Sequence, residues 1–285
     1  MMHDQADELR QLVRQRAIKP AHLGPGAPLV VVAGGNTGVG TTTIAVNLAV
    51  ALARQGRRAV LVDADLGHTG PPIVEIPHSR GSVADVLSGR YSVHEVLERG
   101  PSGIQVLGGV GEAKPSAGWS STAQARFVAQ LRDLAPHAEV VVVDVGHGRD
   151  SLAASLWHEG DAIVVVTTSE SLAIMDAYAA IKTLARHDAG PSLHIMVNQT
   201  SESLAAGDVQ DRIAEACRRF LGVAVQQAGH VPSCAPPAGA ESTTIFSPRG
   251  ESARALDRAA DTLWAQLQVG PAATIASRAR QARSA

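Results

Sequence analysis

The stretch LVVVAGGNTGVGTTT, residues 29–43, decides the fold. Its first five residues, Leu29–Ala33, are apolar without alternation, as in a strand buried on both faces. Gly34, Gly35, Gly38 and Gly40 then make a turn suited to backbone conformations that side chains resist. Thr41, Thr42 and Thr43 open an amphipathic segment over 41–55. A strand, a Gly-rich turn and a helix start together offer unpaired backbone N–H groups and a helix N-terminus to an anion.

Outward from that unit the pattern repeats. Apolar runs recur at Ala59–Val62, Ile104–Leu107, Val140–Val143, Ala162–Val166, Leu193–Val197 and Val223–Val225, with helix-length segments at 122–135, 170–187 and 208–220. Alternation of this kind predicts a doubly wound α/β domain with a mainly parallel sheet of about seven strands and helices on both faces. Polar residues fall at the carboxyl ends of the strands, where such sheets bind ligands. Asp63 and Asp65 follow the second run, Asp144 ends the 140–143 run, and Asn198 ends the 193–197 run. Carboxylates facing the Gly-rich turn are suited to holding Mg²⁺ directly or through water, which makes a P-loop nucleotide-binding domain the expected architecture. A strand-end Asp also caps turns without any metal, so the carboxylates carry a purely structural reading as well.

Residues 1–18 read as a short helix with Leu9, Leu12 and Val13 as its apolar stripe, and residues 19–28 (KPAHLGPGAP) as a linker. The main domain spans 29–268 and ends in Glu251–Gln268, where Leu256, Ala260, Leu263, Trp264 and Leu267 share one face. That face suits packing on the sheet or an amphipathic membrane contact. Residues 269–285 read as a basic, poorly ordered tail.

The chain has 285 residues, 45% of them hydrophobic, and a net charge of −2, so no nucleic-acid partner is expected. Cys217 and Cys234 form no metal or disulfide pattern, and the histidines show no HxxxH or HExxH spacing. No apolar run reaches the length of a membrane span and the start is too polar for a signal peptide, so a cytoplasmic protein is expected. Of 25 basic residues only Lys19, Lys114 and Lys182 are lysine.

From residue 29 to about 268 the chain resembles the MinD/ParA class of deviant P-loop ATPases. AVLVDADL (59–66), residues 81–109 and residues 162–184 resemble its FlhG/FleN branch, the regulators of flagellar number and placement. Asp4-Gln5-Ala6-Asp7-Glu8-Leu9-Arg10 fits the DQAxxLR element that acts on the FlhF-type GTPase in that branch. The resemblance implies partner contacts through Asp4, Gln5, Ala6, Leu9 and Arg10. It implies nucleotide contacts from Gly35 through Thr43, namely Gly35, Asn36, Thr37, Gly38, Val39, Gly40, Thr41, Thr42 and Thr43. Asn198 would pair with adenine and Val231-Pro232 pack on the base. Thr42, Asp65 and Asp144 would hold Mg²⁺, while Asp65, beside Asp63, would orient the attacking water. It further implies flagellar C-ring partners, an ATP-dependent homodimer, and a place at the inner face of the plasma membrane or the cell pole through weak peripheral contact.

One departure is specific. The family loop reads KGGxGKT, and both lysine positions are replaced here, by Asn36 and Thr41; Thr37 stands where the family has glycine. Codon bias would turn lysine into arginine and keep the charge; here the charge is gone. Each lost hydrogen bond to a charged group costs ~1.5–3 kcal/mol, and lost transition-state charge stabilisation costs ~10³–10⁵ in rate. Arg149 is the nearest arginine by motif position. After Asp65, residues 67–72 (GHTGPP) also depart from the family's LANxD. The expectation is thus a pseudo-ATPase whose ATP or ADP binding with Mg²⁺ is in question and which acts through its N-terminal element. The alternatives are a working ATPase cycling between monomer and membrane dimer, and a partitioning factor that binds DNA, which the near-neutral charge disfavours.

Overall fold

The computed structural model describes residues 26–67, 74, 80–109, 118–148, 150–184, 190–200, 203–233 and 249–281, the last thirteen of these as backbone only. Asp4, Gln5, Ala6, Leu9, Arg10, Arg149, Lys19, Lys114 and Cys234 therefore lie outside the described residues, as do most of the linker and residues 282–285.

Eight strands form one sheet. They are β1 Leu29–Gly34, β2 Ala59–Asp63, β3 Glu98–Arg99, β4 Gln105–Leu107, β5 Val140–Asp144, β6 Ala162–Thr167, β7 Ser192–Val197 and β8 Val225–His230. Their order across the sheet is β3-β4-β2-β5-β1-β6-β7-β8, and every pairing is parallel except β3 with β4. The helices are α1 Thr41–Arg54, α2 Val83–Leu87, α3 Val93–Val96, α4 Ser121–Arg132, α5 Ser151–Glu159, α6 Ser171–Leu184, α7 Ser203–Leu221 and α8 Glu251–Gln281.

The sheet has a core on each face, which is why its central strands are apolar throughout. Along β1, Leu29, Val31 and Ala33 join one core with Phe127, Leu131, Leu156, Trp157 and Ile213, from α4, α5 and α7. Val30 and Val32 join the other, with Ile44, Leu48 and Leu52 of α1 and Leu256, Ala260 and Leu263 of α8. α1 is thus sandwiched between sheet and α8, and an Arg54–Asp257 ion pair at 2.6 Å ties the two helices together. Arg57 lies over the Trp264 ring at 4.3 Å, covering the end of the same seam.

Three expectations are corrected here. The sheet has eight strands rather than about seven, because the two-residue β3 is too short to leave a sequence signal. The last strand occupies 225–230 rather than 223–225; as an edge strand it is half exposed and reads VQQAGH, not a continuous apolar run. The final helix continues past residue 268 to Gln281, through Gly270 and Pro271, where composition alone put its end. Of the two readings of Glu251–Gln268, packing holds: Leu256, Ala260, Leu263 and Leu267 are buried in the α1 core.

Candidate functional site

β1 sits between β5 and β6, and its chain leaves toward α1 on one face while β5, β6 and β7 lead to helices on the other. This is a topological switch point, with a crevice above the carboxyl end of β1. The loop 34–40 fills that position. Gly38 and Gly40 have φ of 85° and 86°, a left-handed conformation that glycine tolerates. Gly40 caps α1 without a side-chain hydrogen bond, so no cap side chain takes up the first-turn N–H groups facing the loop. The backbone concavity that the sequence predicts is therefore present.

Side chains brace it from β7. Asn198 Nδ2 donates to Val39 O at 2.9 Å and Gln199 Nε2 to Gly38 O at 3.0 Å. Asn198 is buried, and one of its two amide N–H donors braces the loop. Val231 is buried, and its N–H donates to Val197 O at 2.9 Å. Pro232 is buried beside it and accepts a hydrogen bond from Ser252 Oγ at 3.4 Å.

The two lysine positions are occupied by other contacts. Asn36 Nδ2 donates to Asp176 Oδ2 of α6 at 2.8 Å. The neighbouring Gly35 lies so close to α6 that a Cβ would stand 2.3 Å from the Asp176 carbonyl carbon. Thr41 is buried, its hydroxyl folded over Gly34, where a Cβ would meet Oγ1 at 2.4 Å. Thr37 and Gly38 are exposed at the loop tip, and Thr42 and Thr43 are half-buried in the first turn of α1.

The carboxylates converge beneath this loop. Asp63 and Asp144 are in register on adjacent strands, both buried. Burial first, and the Asp144 charge second, push the Asp63 carboxyl up to about 7. Asp65 N–H donates to Asp63 Oδ1 at 3.3 Å, while Asp65 Oδ1 accepts from Gly67 N–H at 3.1 Å. Asp144 Oδ1 accepts from Gly146 N–H at 3.0 Å, and Gly146 O accepts from Gly34 N–H at 2.7 Å. A Cβ on Gly146 would stand 2.0 Å from Asp65 Oδ2, so this glycine makes room for the carboxylate. Asp63, Asp65 and Asp144 thus lie together at the carboxyl ends of β2 and β5. Even so, among the described residues no group of three His, Cys, Asp or Glu side chains is set to hold a metal ion.

The chemistry of this donor set does not fit a tightly held triphosphate. The nest is present, but neither lysine position carries charge, and Asp176 brings a carboxylate to the loop. Lys182, the one lysine among the described residues, is exposed near the far end of α6. Losing each charge-assisted contact costs ~1.5–3 kcal/mol, about tenfold or more in affinity. Asp176 and Gln199 escaped the sequence reading. Asp176 lies in no phosphate-loop motif, and Gln199 was marked only by following Asn198.

Comparison with known proteins agrees with this fold. The ParA family model, described as NUBPL iron-transfer P-loop NTPase, matches residues 27–206. The antiactivator FleN of Pseudomonas aeruginosa is 30% identical over 204 residues, covering 72% of this chain and 73% of its own. The flagellum site-determining protein YlxH of Helicobacter pylori is 28% identical over 183 residues, covering 64% and 62% of the two chains. The septum site-determining protein MinD of Bacillus subtilis is 28% identical over 185 residues, covering 64% and 69%. Among solved structures, the MinD cell division protein of Aquifex aeolicus superposes with a TM-score of 0.63 at 18% identity, over 84% of this chain and 98% of that one. With its strand, Gly-rich loop and helix inside the matched span, this chain belongs to the ParA family of P-loop NTPases.

Proposed function

We propose that this protein is an FlhG-like regulator of flagellar number or placement built on a degenerate P-loop scaffold. It acts through residues 4–10 on an FlhF-type GTPase, with its own ATP hydrolysis weakened or lost. The observation that carries this reading is the fate of the lysine positions: Asn36 is hydrogen-bonded to Asp176 and Thr41 is buried against Gly34. A loop closed by its own side chains serves as a rigid core element whether or not phosphate binds. The FleN and YlxH relatives support the flagellar setting, and flagellar C-ring components are further candidate partners. The protein would work in the cytoplasm or at the inner face of the plasma membrane; among the described residues no helix is long and apolar enough to cross a membrane.

The test is GTP hydrolysis by an FlhF-type GTPase in the presence of a peptide of residues 1–23 or the full chain. Stimulation by both is expected, and stimulation by neither overturns the reading. A second reading, an Mg²⁺–ATP-dependent switch between monomer and membrane-associated dimer, is favoured by the carboxylates at the ends of β2 and β5, where Asp63 and Asp144 are in register and Gly146 lies against Asp65. Calorimetry separates the two. The scaffold reading expects no ATP binding by the wild type and binding by Thr41→Lys, whereas the switch reading expects tight wild-type binding.

A further inference from the structure

Four large apolar side chains are strongly exposed among the described residues, and three of them share one rim. Leu172 (65% exposed) and Met175 (68%) lie in the first two turns of α6, and Leu204 (88%) in the first turn of α7. These helices follow β6 and β7, neighbours whose ends are in register at Thr167 and Val197, and they pack on each other. The same turns carry Glu170, Asp176 and Asp208, and no lysine or arginine occurs in 167–178 or 203–211. Single exposed apolar residues need no explanation, whereas a cluster with one sign of charge marks a docking surface. Phe220, the fourth, lies at the opposite end of α7 with Arg219 over its ring at 5.4 Å.

The complementary chemistry lies in this chain. Residues 9–19 combine Leu9, Leu12 and Val13 with Arg10, Arg14, Arg16 and Lys19, and contain no acidic residue. Their tether begins at the right place. Ala27 N–H donates to Arg132 O at 2.8 Å, and Arg132 is paired with Asp161, so Gly26 stands at the amino end of β1 and β6. α6 returns to that end, since Ser192, which starts the next strand, donates its N–H to Asp161 O. From Gly26 to the rim is one length of α6, about 20 Å at 1.5 Å per residue. Residues 19–25, extended, span at most about 25 Å.

We propose that residues 9–19 dock in cis across the Leu172–Met175–Leu204 rim, with their basic side chains facing Glu170, Asp176 and Asp208. The contact covers the apolar stripe of the N-terminal element and sets it beside Asp176, the residue that holds Asn36 of the loop. If the reading of residues 4–10 as a GTPase-acting element holds, the GTPase competes with the rim for it. The docking itself does not depend on that reading.

The experiment uses the full chain, dilute, with the photo-crosslinker benzoylphenylalanine in place of Leu204. Irradiation followed by peptide mass spectrometry is expected to join position 204 to residues 9–19 within the monomer. The Arg14→Glu/Arg16→Glu pair is expected to lower the yield about fivefold or more. The same probe in place of Phe220 is expected to give no link to this segment. Links to a second copy, absence of links to residues 9–19, equal links from position 220, or a yield indifferent to the charge reversal would each overturn the proposal. Circular dichroism and an unchanged Tm confirm that each variant is folded.

Discussion

Replacing Asp63 by asparagine should make the protein more stable above neutral pH, and by an amount set by pH. The carboxyl is held at about 7 against an ordinary 3.8, first by burial and then by the charge of Asp144. A folded state that binds the proton more tightly than the unfolded state carries no penalty below 3.8, where both are protonated. As pH rises from 3.8 to about 7 the unfolded chain ionises first, and stability falls. Above 7 the whole penalty is present, roughly three pH units at 1.36 kcal/mol each, ~4 kcal/mol. The amide side chain would keep the oxygen that accepts from Asp65 N–H and lose the titration, while its NH₂ would face the Gly109 N–H that the carboxylate also accepts from, an offset of ~1–3 kcal/mol that does not change with pH. The stability of Asp63→Asn relative to the wild type should therefore rise by ~4 kcal/mol from pH 4 to pH 8, about 2–4 °C of Tm for each kcal/mol in a domain of this size. Urea unfolding of both proteins at half-unit steps from pH 4 to 8.5 measures it. Titrating groups that do not interact with Asp63 cancel in the difference, while Asp144 and Asp65, whose charges act on it, belong to the same coupled titration. A difference that stays flat across that window would refute the reasoning, because it would mean that Asp63 is solvated or already charged at low pH.

Other outcomes follow from the same geometry. His194 is fully buried, and burial pulls its imidazole down to about 4 from 6.5. Its contribution is complete above 6.5 and is lost as pH falls toward 4, by ~3 kcal/mol; thermal melts of His194→Gln should show a flatter acid limb. Gly35→Ala drives a Cβ into the α6 backbone and should cost ~1–3 kcal/mol in urea unfolding. Gly207→Ala, a helical site with open space around it, should gain ~0.5–1 kcal/mol. A double-mutant cycle on Asn36→Ala and Asp176→Ala should return a coupling of ~0.5–1.5 kcal/mol; a coupling of zero would deny the tie between loop and helix.

Legibility in the sequence followed burial. β1, β2, β5, β6 and β7 are covered on both faces, so each appears as an apolar run whose position is read within a residue or two, broken in β7 only by the buried His194. β8 is covered less, and its mixed sequence hid it. α2 and α3 begin at capping boxes, Ser82 with Asp85 and Ser92 with Glu95. Being four or five residues long, they show too little of a turn for a stripe to register. The carboxylates were legible because strand ends are legible. Their pairing was not, since Asp63 and Asp144 are 81 residues apart and meet only through β2–β5 register.

The amino-acid sequence by itself determined the class of fold, the place of the crevice and the loss of both loop charges. Each of these is a local property: runs of apolar residues, glycine where φ is positive, and two side chains that cannot ionise. Only the tertiary structure decided what those two positions do instead. Asn36 reaches a residue 140 positions away on α6, and Asn198 reaches a carbonyl 159 positions away in the loop. Such contacts are set by which strands lie side by side and how closely a helix approaches a glycine, and no spacing along the chain encodes either.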